Sequence, residues 1–392
     1  MRTTQLLLTG LLILGNTAIL KAQATQGTNA ISSTSYLGTS NNNDVIFKRQ
    51  AINAGLIATN KTSFGLNSFA STNSVSIGSG AGQFSTGSYN TYLGSNSGKG
   101  LNSSTLNSGM DNVNIGYNSG TNNTTGSSNV FIGSRSGEGS MTSFSNVFLG
   151  VGSGQFNLTG YGNSFIGSYS GQSNNGSRNL FIGESSCQEN TSGINNTALG
   201  YYSGFDSNGS NNVFIGFESG FNSIGDNKLF IENSSSNNPL IWGDFGLDLL
   251  KFNGKVGIGG NTTNGFGNLP LIAGGVNLSS YSLFVKGGIL TEELRVALQG
   301  TWADYVFEKD YKLPTLDEVE KHIKENGHLI NVPSAKEVKK NGINLGEMTT
   351  IQQEKIEELT LYIIEQNKIN EKQSKEIEEL KIALQSLLDK KQ

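Results

Sequence analysis

The chain has 392 residues, a formal net charge of −4, 52 glycines and only 15% charged residues. Globular domains average about 7% glycine and about 25% charged residues, so this composition is not that of an ordinary enzyme. The charge balance excludes a basic surface for nucleic acid, and four prolines without a Gly-x-y period exclude collagen. Aromatic residues make up 9% of the chain, which argues against disorder because they supply apolar surface to bury.

The first residues predict a secretory signal peptide over positions 1–23. Arg2 supplies the positive end, residues 6–14 the apolar stretch, and Ala22-Gln23-Ala24 the cleavage site. The alternative is a short membrane anchor, although the stretch is interrupted by polar residues and short for a span of about 20 residues. We therefore expect a secreted or cell-surface protein whose mature chain has no membrane-spanning segment. Its only cysteine, Cys187, excludes an intramolecular disulfide.

A repeat of 16 or 17 residues occupies positions 73–238. A Ser-Gly pair follows most copies, and another glycine precedes most of the next ones, so each repeat has two corners at which positive φ is tolerated. This period predicts a mainly β fold, a parallel β-solenoid whose coils stack about 4.8 Å apart, with degenerate repeats before it over 24–72. The best copies read Asn-Val-Phe-Ile-Gly, and the regular run ends each copy at Gly116, Gly133, Gly150, Gly167, Gly183, Gly200 and Gly216.

The alternation of strand residues predicts which side chains face inward. We expect the Ile or Leu before each repeat glycine, and the mostly Val position two residues earlier, to fill the solenoid interior. The position between them would point outward, and an apolar stripe there is typical of an interface. The alternative is that the chain's own flanking segments cover this column. The predicted oligomerisation residues are therefore Phe131, Phe148, Phe165, Phe181 and Phe214.

From Pro239 onward the sequence changes character. Short apolar runs with Asn-Gly and Gly-Gly turns predict a small β neck over 239–300. Two capping boxes, the first at Thr315 and the second at Ser334, predict short helices within 301–347.

A heptad pattern over 348–392 predicts a coiled coil. Glu376 and Lys381 have the spacing of an interchain pair in a parallel coil, and the polar layer at Asn370 would fix the register. The alternative is an amphipathic helix that folds back on its own chain. The seam alternates steps of three and four residues and adds further predicted oligomerisation residues: Ile356, Leu359, Ile363, Asn370, Ile377, Leu380 and Leu384.

Two segments resemble known families. The run Asn-Ser-Val-Ser-Ile-Gly at 73–78 resembles the head repeat of trimeric autotransporter adhesins, which implies left-handed parallel β-rolls, three chains side by side, with necks and coiled-coil stalks. The run beginning Trp302-Ala-Asp-Tyr, with Gly327-His-Leu and Asn331-Val-Pro, resembles the C-terminal region of Bacteroidetes tail-fibre-domain proteins. The charged C-terminal helix departs from the membrane β-barrel of autotransporters. No motif matches the self-cleaving domain of some phage fibres, so we expect no cleavage.

These features predict a secreted or surface-displayed fibre or adhesin-like protein without catalysis, cofactor or metal. Its predicted partners are copies of itself and glycans or cell surfaces. Ile at heptad position a with Leu at position d favours dimers, but we expect a trimer because the adhesin resemblance covers more of the chain. Two alternatives are a polysaccharide-acting enzyme, which needs an acid/base cluster, and an ice-binding solenoid, which needs a Thr or Ser ladder. We expect binding through outward Ser, Asn and Thr positions and through Tyr117, Tyr169, Tyr201 and Tyr202.

Overall fold

The computed structural model describes residues 43–49, 52–259, 272–273, 276–277, 281–285, 287–297 and 302–390. The predicted signal peptide lies outside the described residues. The chain divides between Gly254 and Lys255 into two compact units, each described here by itself.

The first unit is a single 15-stranded sheet whose strands lie in chain order. Strands β1 to β3 pair antiparallel, β3 to β13 pair parallel, and β13 to β15 pair antiparallel again. The ten parallel steps confirm the predicted parallel β-solenoid. The strands are β1 Val45–Arg49, β2 Ile52–Ala58, β3 Lys61–Phe64, β4 Ser74–Ile77, β5 Thr91–Leu93, β6 Val113–Ile115, β7 Val130–Ile132, β8 Val147–Leu149, β9 Ser164–Ile166, β10 Leu180–Ile182, β11 Thr197–Leu199, β12 Val213–Ile215, β13 Lys228–Ile231, β14 Ile241–Asp244 and β15 Leu249–Phe252.

Equivalent residues of successive coils stack on one another, because the repeat length sets the register. Phe148 of β8, for example, is paired with Phe165 of β9. The repeat glycine that ends each strand is required by this stacking: Gly150 has φ +141°, and a Cβ placed there would lie 2.3 Å from the backbone oxygen of Gly167 in the next coil. The invariant glycine therefore marks a close approach between coils as well as a corner.

The expectation that the phenylalanine column faces outward is wrong. Phe131, Phe148, Phe165, Phe181 and Phe214 have no exposed surface and form the core of the solenoid. Consecutive rings stack nearly parallel, with centroids 4.8 Å apart between Phe148 and Phe165 and again between Phe165 and Phe181. Each strand from β5 to β12 is only three residues long, so its middle side chain enters the coil and the other two point away. The alternative, in which flanking segments cover an outward column, is not observed either, because the rings lie inside the coil and form its core.

The interior also holds polar side chains that we expected at the surface. The repeated asparagines and most of the repeated serines are buried. Asn146 shows the pattern: its amide donates to the carbonyl oxygen of Gly160 at 2.9 Å, and its Oδ1 accepts the backbone N–H of Asn163 at 2.9 Å. Ser153 donates to the carbonyl oxygen of Phe165 at 3.1 Å. These columns satisfy backbone groups at the corners and are not available for binding.

The second unit has two small sheets and a helical region. Strand β16 (Val256–Ile258) pairs parallel with β19 (Leu283–Val285), and β17 (Ile272–Ala273) pairs antiparallel with β18 (Val276–Asn277). The segment predicted as a β neck therefore supplies β14 and β15 to the solenoid sheet and β16 to β19 to these small sheets.

A 3₁₀ helix, Ala303–Phe307, is followed by α1 Leu316–Asn326, α2 Ala335–Asn341 and α3 Leu345–Asp389. Both predicted capping boxes are confirmed, and Gly327 ends α1 in the left-handed conformation. Among the described residues, no helix is long and apolar enough to cross a membrane.

Candidate association surfaces

The apolar stripe on the outside of the solenoid is formed by the two columns that flank the buried phenylalanines. In β8, Val147 and Leu149 are half-buried on either side of Phe148, which has no exposed surface. We expected these columns in the interior, but their side chains lie on the outside of the coil. We call this surface the strand-face stripe; its most exposed members are Val75, Ile77, Leu93, Ile166, Leu180, Ile182 and Ile215, each between 37% and 44% exposed.

A signal for the correct orientation was present in the sequence. The glycine of the Ser-Gly corner lies six residues after the phenylalanine, and it faces that ring within the same coil. A Cβ at Gly154 would lie 2.4 Å from Phe148, and one at Gly171 would lie 2.6 Å from Phe165. In these coils a glycine at the corner leaves room for the large ring inside the coil.

Helix α3 has two chemically different faces. Near its N-terminal end one face is covered by the chain that precedes it. The Tyr305 hydroxyl donates to Glu354, the Tyr311 hydroxyl donates to Glu358 Oε1 at 2.5 Å, and Asn331 Nδ2 donates to Glu354 Oε1 at 3.2 Å. Both glutamates are buried. The polar face of the helix is thus occupied within its own chain near Glu354 and Glu358, whereas from residue 363 onward both faces of the helix are exposed.

Charge on this polar face is compensated locally. Lys355 Nζ lies 2.7 Å from Glu354 and 2.8 Å from Glu358. Burial acts to raise the pKa of Glu354, but hydrogen bonds from Lys355, Tyr305 and Asn331 outweigh it and hold the pKa below its usual value. The hydrogen bond to Glu354, together with burial, raises the pKa of Tyr305 to about 12. The cluster therefore holds Glu354 ionised and Tyr305 neutral across neutral pH.

The opposite face of α3 carries the predicted coiled-coil seam. Its apolar members are exposed in the single chain, from 53% for Ile377 to 68% for Leu380. In the middle of the seam Gln366 Nε2 donates to Asn370 Oδ1 at 2.8 Å along the helix. The chain folds against the polar face and leaves the apolar one open; the exposed set comprises Ile356, Leu359, Ile363, Ile377, Leu380, Leu384 and Leu387.

The remaining predicted residues are dispersed. Tyr117, Tyr169 and Tyr201 are exposed as expected, whereas Tyr202 is half-buried against Phe205, with ring centroids 4.9 Å apart. Cys187 is fully buried, and burial raises the pKa of its thiol well above the usual value. The described residues include no group of three or more His, Cys, Asp or Glu side chains placed to hold a metal ion.

No family model matches the chain, and no curated protein or solved structure is significantly similar to it.

Proposed function

We propose that this protein is a secreted or surface-displayed, non-catalytic fibre that associates with copies of itself, as a trimer, and adheres to other surfaces. The observation that carries the proposal is the pair of unpartnered apolar surfaces, the strand-face stripe on the solenoid and the seam on α3. Exposed apolar residues that repeat along one face are typical of association sites.

The strand-face stripe supports association along the solenoid. The stacked coils repeat the same two half-buried columns, so one copy presents a long, regular surface rather than a single patch. A regular surface can contact an equivalent surface of another copy coil by coil, and each half-buried Val or Ile then loses its remaining contact with water.

The seam supports the same conclusion independently. Near its N-terminal end the helix uses its polar face within its own chain, so its apolar face stays available for another chain. Ile356, Ile363 and Ile377 repeat on that face at heptad positions, as interchain packing requires. The resemblance to autotransporter heads and tail-fibre proteins adds the trimeric state, the export and the adhesive role to the proposal.

The first test is the solution mass of residues 24–392, measured by light scattering, beside a chain that ends at Met348. We expect three chains per particle for the longer protein and dissociation or misfolding for the shorter one. Two point variants refine the test: Ile377→Asp on the seam should disrupt the assembly, whereas Ile382→Asp, equally apolar and 63% exposed but off the seam, should not. A compact monomer for both chain lengths would overturn the proposal.

A further inference from the structure

The last parallel coil of the solenoid departs from the repeat in a way that creates a cavity. Asn212 ends the regular asparagine column, and Lys228 stands where the next asparagine would be. The backbone N–H of Lys228 still donates to Asn212 Oδ1 at 2.7 Å. Its side chain instead leaves the column and pairs with Asp244 of β14 at 2.5 Å.

The phenylalanine column also changes at this end. Phe230 meets Phe214 edge to face, with the ring planes at 63°, whereas the rings between Phe131 and Phe181 stack nearly parallel. Phe230 is paired across the antiparallel β13–β14 step with Trp242, which packs against the end of the core. The turned ring and the indole leave a space that the regular coils do not have.

This space is an open cavity of about 320 Å³, at the lower end of the range of small-molecule sites. Trp242 and the largely buried Phe230 line it, with the Lys228 ammonium 5.9 Å from the centroid of the Trp242 ring, and Ile224, which is 91% exposed, stands at the mouth. The polar lining consists of Asn222, Ser223, Asn237 and Lys228. The side-chain amides of Asn222 and Asn237 are exposed and make no hydrogen bond within the described part of the chain.

From these features we infer that the cavity binds an uncharged saccharide unit. A sugar ring has an apolar C–H face, which suits an aromatic wall, and a rim of hydroxyls that both donate and accept. A free carboxamide offers both functions, so Asn222 and Asn237 match such a rim. The only charged lining residue is Lys228, and its charge is balanced by Asp244, which disfavours an anionic ligand because no unpaired cation is available.

The inference rests on the proposed function in that it names what the fibre adheres to. If three chains assemble, three equivalent sites would be displayed on one particle, and weak sites gain avidity from such repetition. Asn222 and Asn237 lie neither on the seam of α3 nor in the columns of the strand-face stripe, so site and assembly can be tested separately.

The chain offers a direct optical probe of this cavity. It has two tryptophans, Trp242 and Trp302, so Trp302→Phe leaves Trp242 as the only indole emitter. In that background we would titrate cellotriose, xylotriose, mannotriose and N,N′,N″-triacetylchitotriose, with trigalacturonate as the anionic comparison. We expect a saturable change of Trp242 emission with at least one neutral trisaccharide and none with trigalacturonate. A long polymer of the same sugar then distinguishes recognition of a chain end from recognition of internal units.

A matched pair of variants identifies the site. Asn222→Ala combined with Asn237→Ala should weaken binding at least tenfold, while Asn122→Ala, at the equivalent corner position of an earlier coil, should leave it unchanged. Saturable binding of trigalacturonate alone, no saturation with any neutral probe, or equal affinity in the double variant would each overturn the inference. Light scattering on the same samples distinguishes failure of this inference from failure of the fibre proposal. A trimer that does not bind sugar would contradict only the saccharide site.

Discussion

Individual side chains of the solenoid are constrained by the coil interior. Each coil admits one large side chain from its strand, and the facing glycine corner leaves room for a ring. Where the phenylalanine is replaced by Ala198, the neighbouring coil has Cys187 in place of its corner glycine, and both side chains belong to the same buried cluster. Cys187 adopts φ +48°, an uncommon conformation for a side-chain-bearing residue, so its presence is explained by the space it fills.

The first prediction concerns the buried ring stack. Phe165→Ala removes a ring packed between two others and should lower the free energy of unfolding by about 3–5 kcal/mol. Phe156→Ala, which removes the same side chain from a position that is 51% exposed, should have a small effect. Urea unfolding followed by circular dichroism measures both, and equal effects would contradict the assignment of the core.

A second prediction concerns Asn114, which occupies the phenylalanine position of its coil. It is fully buried, and neither Oδ1 nor Nδ2 finds a hydrogen-bond partner among the described residues. A buried unpaired polar group costs about 1–3 kcal/mol. Asn114→Phe should therefore raise the midpoint temperature of unfolding. It removes this penalty and adds one ring to the stack that begins at Phe131. Asn114→Ala isolates the first contribution, and a lower midpoint for Asn114→Phe would show that the coil cannot hold the ring.

At the scale of elements, the packing of the 3₁₀ helix region against α3 relies on hydrogen bonds to charged groups rather than on apolar burial alone. Ala303 and Val306 are buried beside this cluster, but Tyr305, Tyr311 and Glu354 make the directional contacts. Such contacts depend on protonation state, so the packing has a working pH range.

The third prediction concerns the pH range over which the 3₁₀ helix region stays packed against α3. Because the pKa of Glu354 is lowered in the folded protein, its contribution is present above the ordinary carboxyl value and is lost as the pH falls through the folded value. Because the pKa of Tyr305 is raised to about 12, its contribution is present below the ordinary tyrosine value and is lost as the pH rises towards 12. The packing should therefore be strongest between these limits.

Trp302 lies next to the 3₁₀ helix and can report this packing in a Trp242→Phe background. Its emission should change once in acid and once in alkali. Combining Tyr305→Phe with Tyr311→Phe should remove most of the alkaline change and keep an acid one, since Lys355 and Asn331 still bind the carboxylates. An unchanged alkaline transition in this variant would rule out tyrosine ionisation as its cause.

At the scale of the whole molecule, each of the two units has an exposed apolar surface that its own folding does not require. These surfaces are the strand-face stripe on the solenoid and the seam on α3. The solenoid core is filled by its own phenylalanines, and the first part of α3 packs against its own chain through its polar face. Both the strand-face stripe and the seam are therefore free for association, which separates the stability of a chain from its assembly.

The fourth prediction tests that separation. Ile166→Asp places a charge on the strand-face stripe and should reduce the assembled mass seen in sedimentation while leaving the circular dichroism of the chain intact. Leu158→Asp changes a residue of similar exposure, 42% against 40%, outside the strands and should leave the mass unchanged. Loss of folded signal with Ile166→Asp would mean that the stripe belongs to the core after all.

The sequence by itself determined the parallel solenoid, its coil length, the capped helices and the amphipathic α3, because each follows from local periodicity, glycine corners or capping chemistry. It also predicted a long helix with an apolar face, whose pairing with another chain stays a prediction. Those features depend on residues that are close in the sequence or on a strict repeat, and both can be recognised in the sequence alone.

Only the tertiary structure decided which strand face is inside, since period-two alternation fixes two faces without saying which one is enclosed. The width of the coil decides it: one ring from Phe148 or Phe165 fills the interior beside a glycine corner, and the flanking aliphatic side chains remain outside. The buried asparagine and serine columns and the cavity at Trp242 were likewise beyond the sequence, because their partners lie a full coil away.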